Sequence, residues 1–346
     1  MIKKLNFLEN EAYLITDKTY RKYFSSIELD EGYLLISKKP VYFADARYFT
    51  MLKEKLNGKN IDSKLYINLD SISEELKTQK ITTLYLDYDS TTLTEYESYK
   101  NFNVELTNGT CYLKNCRITK SETEIEYVKK ACNIIEEVIN SIPNIIKVGI
   151  TEKEIANYIE SEAIKKGAEG LSFNTIVAFS KNSAIPHHET SDKKLEYNMP
   201  ILIDTGVFFN GYASDITRNF YFGTPTNKYL DVYNKVKTAN EIALQSINLG
   251  SNCKDIDLIA RNYLKTFGLD TYFTHSLGHG IGLEIHEAPR LSQISTDNIQ
   301  KNMAFTIEPG VYFENEFGIR IEDSVIFDGE KAVRLYNDSK DLVIIK

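Results

Sequence analysis

The sequence predicts two domains: an α/β domain over residues 1–116 and an α+β domain over residues 117–346, whose two halves are related by a pseudo-twofold axis. The chain has 346 residues, more than a typical single domain contains. Its first part alternates short apolar runs with polar helical stretches, as α/β domains do. Its second part twice repeats two helices followed by a hairpin with two acidic residues, which indicates two similar halves packed together.

The N-terminal domain is predicted to contain one sheet with helices beside it. Apolar runs predict strands over residues 12–15, 33–37, 41–43 and 83–87, and amphipathic stretches predict helices over 46–56 and 93–99. No histidine occurs in this domain, so we expect the catalytic centre to lie elsewhere. Residues 114–120 lead into the second domain and are predicted to form a linker.

Two capping boxes predict the helices of the first half of the C-terminal domain. Ser121 with Glu124, and Thr151 with Glu154, have the spacing at which a hydroxyl and a carboxylate cap one helix start. Pro143 is expected to end the first of these helices. In the second half, apolar residues at helical spacing predict helices over residues 228–248 and 255–267.

An Asn-Gly pair between two apolar runs predicts a β-hairpin with a type I′ turn at Asn210 and Gly211. In that register Asp204 faces Thr217, and Asp204 and Asp215 lie diagonally across one face of the ribbon. Two carboxylates among apolar residues are costly to bury, and a divalent cation is the simplest compensation. A solvent-facing pair of Asp residues is the alternative.

A second two-run stretch at residues 303–327 carries Glu308 and Glu322, and His279 lies between glycines in the segment between the hairpins. Four carboxylates with one imidazole form an oxygen-rich set suited to two divalent ions, such as Mn, Co, Zn or Fe(II). All five histidines of the chain fall within one stretch of the second domain: His187, His188, His275, His279 and His286.

The order of these residues resembles that of the pita-bread dinuclear metallopeptidases. Three motifs carry the resemblance: Gly-His-Gly-Ile-Gly-Leu-Glu-Ile-His-Glu at 278–287, Ile-Glu-Pro-Gly-Val-Tyr at 307–312 and Ile-Arg-Ile-Glu-Asp at 319–323. That family includes methionine aminopeptidase, Xaa-Pro aminopeptidase of the aminopeptidase P type, and Xaa-Pro dipeptidase (prolidase). Residues 32–36 and 43–48 also resemble the creatinase/RNase H-like N-terminal domain of the proline-directed members.

The resemblance implies a ligand set for two divalent ions, with Mn(II) expected and Co(II), Zn(II) or Fe(II) as alternatives. Asp204 would hold one ion, Asp215 and Glu322 would bridge both, and His279 and Glu308 would complete the second. A hydroxide that bridges the metals would be the nucleophile. Glu308 would take its proton and deliver it to the leaving proline nitrogen.

Further roles also follow from the resemblance. His187 matches the family histidine near the reacting carbonyl, His286 matches the one that stabilises the oxyanion, and His275 matches a histidine of the substrate pocket. Arg320 is predicted to bind substrate or to orient ligands, and Thr217 to orient ligands from behind. Both could equally be ordinary strand residues. His188 matches no family role and is expected to be structural.

The predicted function is that of a metal-dependent aminopeptidase that hydrolyses the Xaa-Pro bond at peptide N-termini. Prolidase is the alternative, and a non-catalytic binding module is a remote one. Prolidase must bind the free carboxylate after proline, which needs a positioned cation. The candidates near the motifs are Arg218, Arg290 and Arg320, and none is expected to be free, which favours the aminopeptidase.

Composition excludes other classes of protein. The formal charge of −8, from 41 basic and 49 acidic residues, argues against nucleic-acid binding. Four cysteines without a Cys-x-x-Cys pair indicate reduced thiols and a cytoplasmic protein. No apolar run approaches the length of a membrane span, so no membrane partner is expected. The expected partners are peptides with proline at the second position, together with a second copy of the chain in a homodimer.

Overall fold

The computed structural model describes residues 5–346, so residues 1–4 of the predicted N-terminal domain lie outside the described part. The chain divides into two compact units, Met1–Arg117 and Ile118–Lys346. The division falls one residue after the boundary expected from sequence. The first unit is an α/β domain and the second an α+β domain, as predicted.

The first unit is built on one six-stranded sheet, in the order β4-β3-β2-β1-β5-β6. Its strands are β1 Glu11–Ile15, β2 Tyr33–Ile36, β3 Val41–Ala44, β4 Asp62–Leu65, β5 Thr83–Leu86 and β6 Glu105–Asn108. Its helices are α1 Lys18–Ser25, α2 Phe49–Leu56, α3 Leu69–Thr78, α4 Leu93–Tyr99 and α5 Thr110–Ile118. β2 pairs antiparallel with β1 and β3, and the other neighbours in the sheet are parallel.

Sequence periodicity located the four inner strands of this sheet and missed its edges. β4 and β6 lie at the two edges and are mostly exposed, so they carry no apolar run. Helices α1 and α3 were also missed. The predicted linker over residues 114–120 is wrong, because α5 continues to Ile118 and Lys120 donates its backbone N–H to Asn302.

The first half of the second unit contains the two predicted helices and the first hairpin. Both capping boxes are formed, by Ser121 with Glu124 and by Thr151 with Glu154. The helices are α6 Glu122–Ser141 and α7 Glu152–Lys165. The strands are β7 Gly170–Leu171, β8 Ile176–Phe179, β9 Met199–Thr205, β10 Val207–Phe209, β11 Tyr212–Ala213 and β12 Ile216–Phe222.

The second half repeats this order of elements. Its helices are α8 Asn227–Gln245 and α9 Cys253–Lys265. Its strands are β13 Gly278–Gly280, β14 Glu287–Leu291, β15 Ala304–Ile307, β16 Gly310–Phe313, β17 Phe317–Arg320, β18 Asp323–Phe327, β19 Ala332–Arg334 and β20 Val343–Ile345. The structure therefore has the repeated organisation that the sequence predicts.

Two main sheets position the predicted ligands. They have the orders β20-β12-β9-β8 and β14-β13-β15-β18-β19. The first hairpin has the predicted turn and register: Asn210 and Gly211 have φ of +47° and +78°, and Asp204 pairs with Thr217. Thr217 also forms an isolated bridge to Glu322, which joins the two halves at the level of the acids.

Each half has its own apolar core, which fixes the helices on the sheets. In the first half, side chains of α6 and α7 such as Ile135 and Ile155 are buried with Ile203 of β9. In the second half, Val236 of α8 and Ile256 of α9 belong to a second buried cluster. Within residues 5–346, none of the helices is both long and apolar enough to cross a membrane.

Candidate metal centre

The predicted ligands of the two halves meet in one cluster. One donor atom each of Asp215, His279 and Glu322 lies within 4.8 Å of the other two. Nε2 of His279 is 3.4 Å from Oδ2 of Asp215 and 3.5 Å from Oε1 of Glu308. Residues far apart in the sequence are therefore brought to distances at which they can share a metal ion.

The first hairpin is interrupted at its acids. β9 and β12 pair as far as Thr205 and Ile216, and Gly206 then separates β9 from β10. A Cβ atom at Gly206 would lie 1.9 Å from the carbonyl oxygen of Ser214, so only glycine permits this close passage. Asp215 lies in the matching gap between β11 and β12 and is buried.

The second hairpin is interrupted in the same way. The pairs Ile307 with Asp323 and Gly310 with Arg320 continue one register across the gap. That register places Glu308 opposite Glu322. Glu308 lies in the gap between β15 and β16, and Glu322 lies in the gap between β17 and β18. In a hairpin without these gaps, the two acids would be part of regular strand pairing. The gaps interrupt that pairing at the position of the metal-ligand cluster.

Glycines bring His279 into the cluster, as the sequence predicts. A Cβ atom at Gly278 would lie 2.0 Å from the carbonyl oxygen of Thr306, and one at Gly280 would lie 2.2 Å from that of Ala288. Nδ1 of His279 is 3.2 Å from the carbonyl oxygen of Gly280 and donates to it. Nε2 is therefore the ring nitrogen that faces the carboxylates and is placed to bind a metal ion.

The electrostatics of the cluster favour a cation. Burial, together with the charges of Asp204 and Glu308, raises the pKa of Asp215 well above its usual range. Burial, Asp215 and Glu308 do the same to the pKa of Glu322. The pKa of Glu308 is also raised, chiefly by burial. Carboxylates crowded in this way become ionised most easily when a metal ion neutralises them.

Four buried carboxylate oxygens lack a hydrogen-bond partner within residues 5–346. Oδ2 of Asp323 is one of them and is ion-paired with Lys340 at 3.2 Å. The other three belong to predicted ligands: Oδ1 of Asp204, Oδ1 of Asp215 and Oε1 of Glu322. Buried polar atoms are rarely left unpaired in a native protein. Three such oxygens on three predicted ligands, with one imidazole nitrogen beside them, match the ligand preference of divalent metal ions. The residues present therefore fit the predicted metals.

Arg320 and Thr217 hold two of the carboxylates from behind. Nη2 of Arg320 is 2.6 Å from Oδ2 of Asp204, and its Nε donates to the hydroxyl of Thr217. That hydroxyl donates in turn to Oε2 of Glu322 at 2.6 Å. Nη1 of Arg320 donates to the hydroxyl of Tyr312 at 2.7 Å. The guanidinium is buried, and its nitrogens are already bonded to Asp204, Thr217 and Tyr312, so these contacts orient ligands. A role of Arg320 in substrate binding stays a prediction.

His275 lies beside this group in a fixed tautomer. Its Nδ1 donates to the carbonyl oxygen of Ser276, and its Nε2 accepts from the hydroxyl of Tyr312, both at 2.8 Å. Burial, with the charge of Arg320, lowers the pKa of His275 to about 3. The imidazole is therefore neutral at ordinary pH. Its predicted place in a substrate pocket stays a prediction.

The other two predicted catalytic histidines lie at the exposed side of the cluster. The ring of His286 is 4.2 Å from that of His279, measured between centroids. Burial, followed by the charges of His279 and His187, lowers the pKa of His286 to about 4. His187 is exposed and lies close enough for its charge to lower the pKa of His275 as well.

Sequence reasoning missed the residues that hold Asp215 by its backbone. The hydroxyl of Ser324 donates to the carbonyl oxygen of Asp215 at 2.8 Å and accepts from its N–H at 3.2 Å. The hydroxyl of Tyr336 donates to the same carbonyl at 2.5 Å. Ser324 directly follows the motif at residues 319–323 that contains Glu322, so its position was a usable signal. Tyr336 gave none.

A buried ion network, also missed, lies directly behind Glu322. Nη2 of Arg218 is 2.8 Å from Asp323, and its Nε is 2.6 Å from Asp338. Nη1 of Arg218 also donates to the carbonyl oxygen of Glu322. Arg334 contacts both aspartates, and Lys340 is 3.2 Å from Asp323. The network thus fixes the backbone of one predicted ligand.

Two similar α+β halves with a central set of carboxylates and one imidazole define a metal-dependent peptidase of the pita-bread class. The chain belongs to metallopeptidase family M24, which its residues 126–328 match. Residues 2–119 match the creatinase/prolidase N-terminal domain. The predicted combination of a creatinase-like domain with a pita-bread domain is therefore confirmed.

Relatives with a named activity include both Xaa-Pro dipeptidases and an X-Pro aminopeptidase. An Xaa-Pro dipeptidase from Pyrococcus horikoshii is 33% identical over 336 residues, which are 96% of this chain and 94% of that protein. The structure of an Xaa-Pro dipeptidase from Bacillus anthracis superimposes with a TM-score of 0.91 at 32% identity, over 96% and 94% of the chains. The structure of an X-Pro aminopeptidase from Thermotoga maritima superimposes with a TM-score of 0.89 at 32% identity, over 98% of each chain. Curated relatives that reach 40% identity align over 214 to 231 residues, which are 61–66% of their own length.

Proposed function

We propose that the chain is an Xaa-Pro dipeptidase, which hydrolyses the bond between an N-terminal residue and a proline that carries the free carboxylate. This is the alternative from the sequence rather than its first choice, the aminopeptidase. One observation carries the proposal: Arg290 is an exposed cation beside the metal ligands, and it forms no ion pair with any of residues 5–346.

Arg290 lies on the same face of the sheet as His279. It pairs with His279 across β13 and β14, and residues directly opposite in an antiparallel pair point to the same face. Its guanidinium contacts the Ser276 hydroxyl only weakly, at 3.3 and 3.4 Å. The planar fork of arginine binds a carboxylate through two parallel hydrogen bonds. Arg290 would therefore hold the carboxylate of proline at the edge of the metal centre.

The other two arginines near the motifs are occupied. Arg320 is bound to Asp204, and Arg218 belongs to the buried network behind Glu322. From the sequence, none of Arg218, Arg290 and Arg320 is expected to be free for a substrate carboxylate. That expectation holds for Arg218 and Arg320 but not for Arg290, so this objection to a dipeptidase no longer applies.

The chemistry follows from the roles of this chain's residues. Divalent ions, when bound, supply polarisation of the scissile carbonyl and a lower pKa for the attacking water. Glu308 takes the proton of that water and passes it to the leaving proline nitrogen. His286 donates to the oxyanion that develops, and His187 lies at the reacting carbonyl. Mn(II) as the metal, the homodimer and the cytoplasmic location stay predictions.

Relatives named Xaa-Pro dipeptidase or prolidase support the proposal. The aminopeptidase is the second candidate, because the Thermotoga maritima relative of similar identity carries that name. The two differ in one requirement. A dipeptidase gains from a cation at the proline carboxylate, and an aminopeptidase must leave that end open for a longer peptide.

The test compares the dipeptide Xaa-Pro, its C-terminal amide and the tripeptide Xaa-Pro-Yaa on the metal-loaded protein. We expect the highest kcat/KM for the dipeptide. Arg290→Met should lower that value by about 10- to 100-fold, since a hydrogen bond to a charged group is worth about 1.5–3 kcal/mol. The same variant should cleave the amide as the unaltered protein does. A higher kcat/KM for the tripeptide would establish the aminopeptidase instead.

A further inference from the structure

Glu152 is a fully buried carboxylate that the proposed chemistry does not use. It lies at the first position of α7, and its side chain has 0% exposure. Its Oε1 accepts from the N–H of Phe179 and the amide of Asn182, both at 2.8 Å. Its Oε2 accepts from Nε2 of His188 at 2.9 Å and from both the N–H and the hydroxyl of Ser191.

All five donors come from one segment, residues 179–191, which carries His187. An ionised carboxylate that accepts several hydrogen bonds offsets the cost of its own burial. Burial alone would raise the pKa of Glu152, but the hydrogen bonds from Ser191, His188, Phe179 and Asn182 together outweigh it and lower the pKa. The carboxylate is therefore charged at neutral pH, and its charge holds this segment to the start of α7.

The segment forms a closed turn at His187. The N–H of His188 donates to the carbonyl oxygen of Ile185 at 3.1 Å, so Pro186 and His187 occupy the two central positions of the turn. Proline fits the first central position because its φ is fixed. His187 is exposed at the second. The following residue, His188, is bound through its side chain to Glu152.

The other side of the turn is attached to the metal centre. The carbonyl oxygen of Pro186 lies 3.4 Å from Nη1 of Arg320, and the hydroxyl of Ser183 accepts from the N–H of Gly318 at 2.9 Å. Arg320 in turn binds Asp204. His187 is thus held between two fixed points, the carboxylate of Glu152 and the strand β17 that carries Arg320.

We infer that Glu152 and His188 form a positioning pair that sets the place of His187 relative to the metal centre. His188 acts through its Nε2–H, which donates to the carboxylate whether the ring is neutral or protonated. Neither residue belongs to the predicted metal ligands or substrate-binding residues, so the pair would act through His187. This inference rests on the role of His187 in the proposed function.

The first experiment measures kcat, KM and bound metal for Glu152→Gln. An amide has one acceptor oxygen and faces donors with its NH₂ group, so the segment is no longer held. Because displacements of about 1 Å can cost about 10²-fold in rate, kcat should fall by at least about 10-fold with KM and metal content unchanged. Glu154→Gln is the matched control, because Glu154 lies on the same helix turn, is exposed and only caps α7.

A second pair of variants separates positioning from folding. His188→Gln keeps an N–H donor at the reach of Nε2 and should keep most of the activity, whereas His188→Leu should lose as much as Glu152→Gln. Circular dichroism at the assay temperature checks that both are folded. Equal activity of the two His188 variants would overturn the inference.

The decisive measurement is a double-mutant cycle with His187→Ala. If Glu152 acts through His187, Glu152→Gln should have little further effect on kcat once His187 is alanine. Full additivity of the two effects, or an unchanged kcat in His187→Ala alone, would overturn the inference. The preference for dipeptide over tripeptide in the unaltered protein is measured separately, so the proposed function is judged independently.

Discussion

Asp323 is the centre of the buried network behind the metal site, and its replacement by asparagine is expected to destabilise the second unit strongly. The side chain is 1% exposed and contacts Arg218, Arg334 and Lys340. Burial alone would raise the pKa of Asp323, but these cations outweigh it and hold the pKa at about 2. The residue is therefore ionised over the whole range in which the protein would be studied.

The size of the effect follows from counting charges. The network has three cations and two carboxylates, Asp323 and Asp338, so it carries a net charge of 3 − 2 = +1. Asp323→Asn leaves three cations with one carboxylate, a net charge of 3 − 1 = +2, among side chains that are at most 21% exposed. Loss of one partner of a buried ion pair costs about 3–5 kcal/mol. For a domain of this size that lowers Tm by roughly 6–20 °C.

The assay is thermal unfolding of the chelated protein, so that bound metal does not mask the difference. The control is Glu316→Gln, which removes the partner of Lys228 from a surface pair whose side chains are 49% and 52% exposed. Such a pair contributes about 0–1 kcal/mol. If Asp323→Asn changed the free energy of unfolding no more than this control does, the reasoning from burial would be refuted.

Three further predictions concern the site and its supports. Glu308→Gln should lower kcat by at least about 10²-fold with metal still bound, because the amide cannot carry the proton; near-normal kcat with full metal content would exclude the role. Chelation should abolish activity and lower Tm, since the crowded carboxylates lose their compensating charge, and added Mn(II) should restore both; a protein shown to be metal-free yet active would contradict the metal site. The lowered pKa of Glu152 means that its stabilisation is present above its ordinary pKa of 4.5 and is lost as pH falls below it. The difference in unfolding free energy between the protein and Glu152→Gln should therefore be largest near neutral pH and shrink in acid, and a constant difference would contradict this.

The hairpins show what sequence can predict. Asn210 and Gly211 fix the turn, the turn fixes the register, and the register places Asp204 opposite Thr217 without further information. The glycines around His279 were informative for the same reason, because a close backbone approach needs a missing side chain. Features that depend on local chain geometry were therefore predicted.

The supports of the site were not predicted, because their partners are far apart in the sequence. Glu152 looks like any acid in the first turn of a helix, and its donors follow 27 to 39 residues later. Asp323 stands beside a ligand in a motif, yet only the fold shows that Arg218, 105 residues earlier, is its partner. The state of Arg290 was equally hidden, since an arginine is free or paired only in three dimensions.

The interrupted hairpins also determine when the metal centre can form. The five predicted ligands lie on separate strands or beside them between Asp204 and Glu322, so no short piece of chain contains all of them. The centre is complete only after both halves have folded and Thr217 has met Glu322 at the bridge between them. Metal uptake must therefore follow the folding of the second unit, and a partly synthesised chain that lacks Glu322 cannot be rescued by raising the metal concentration.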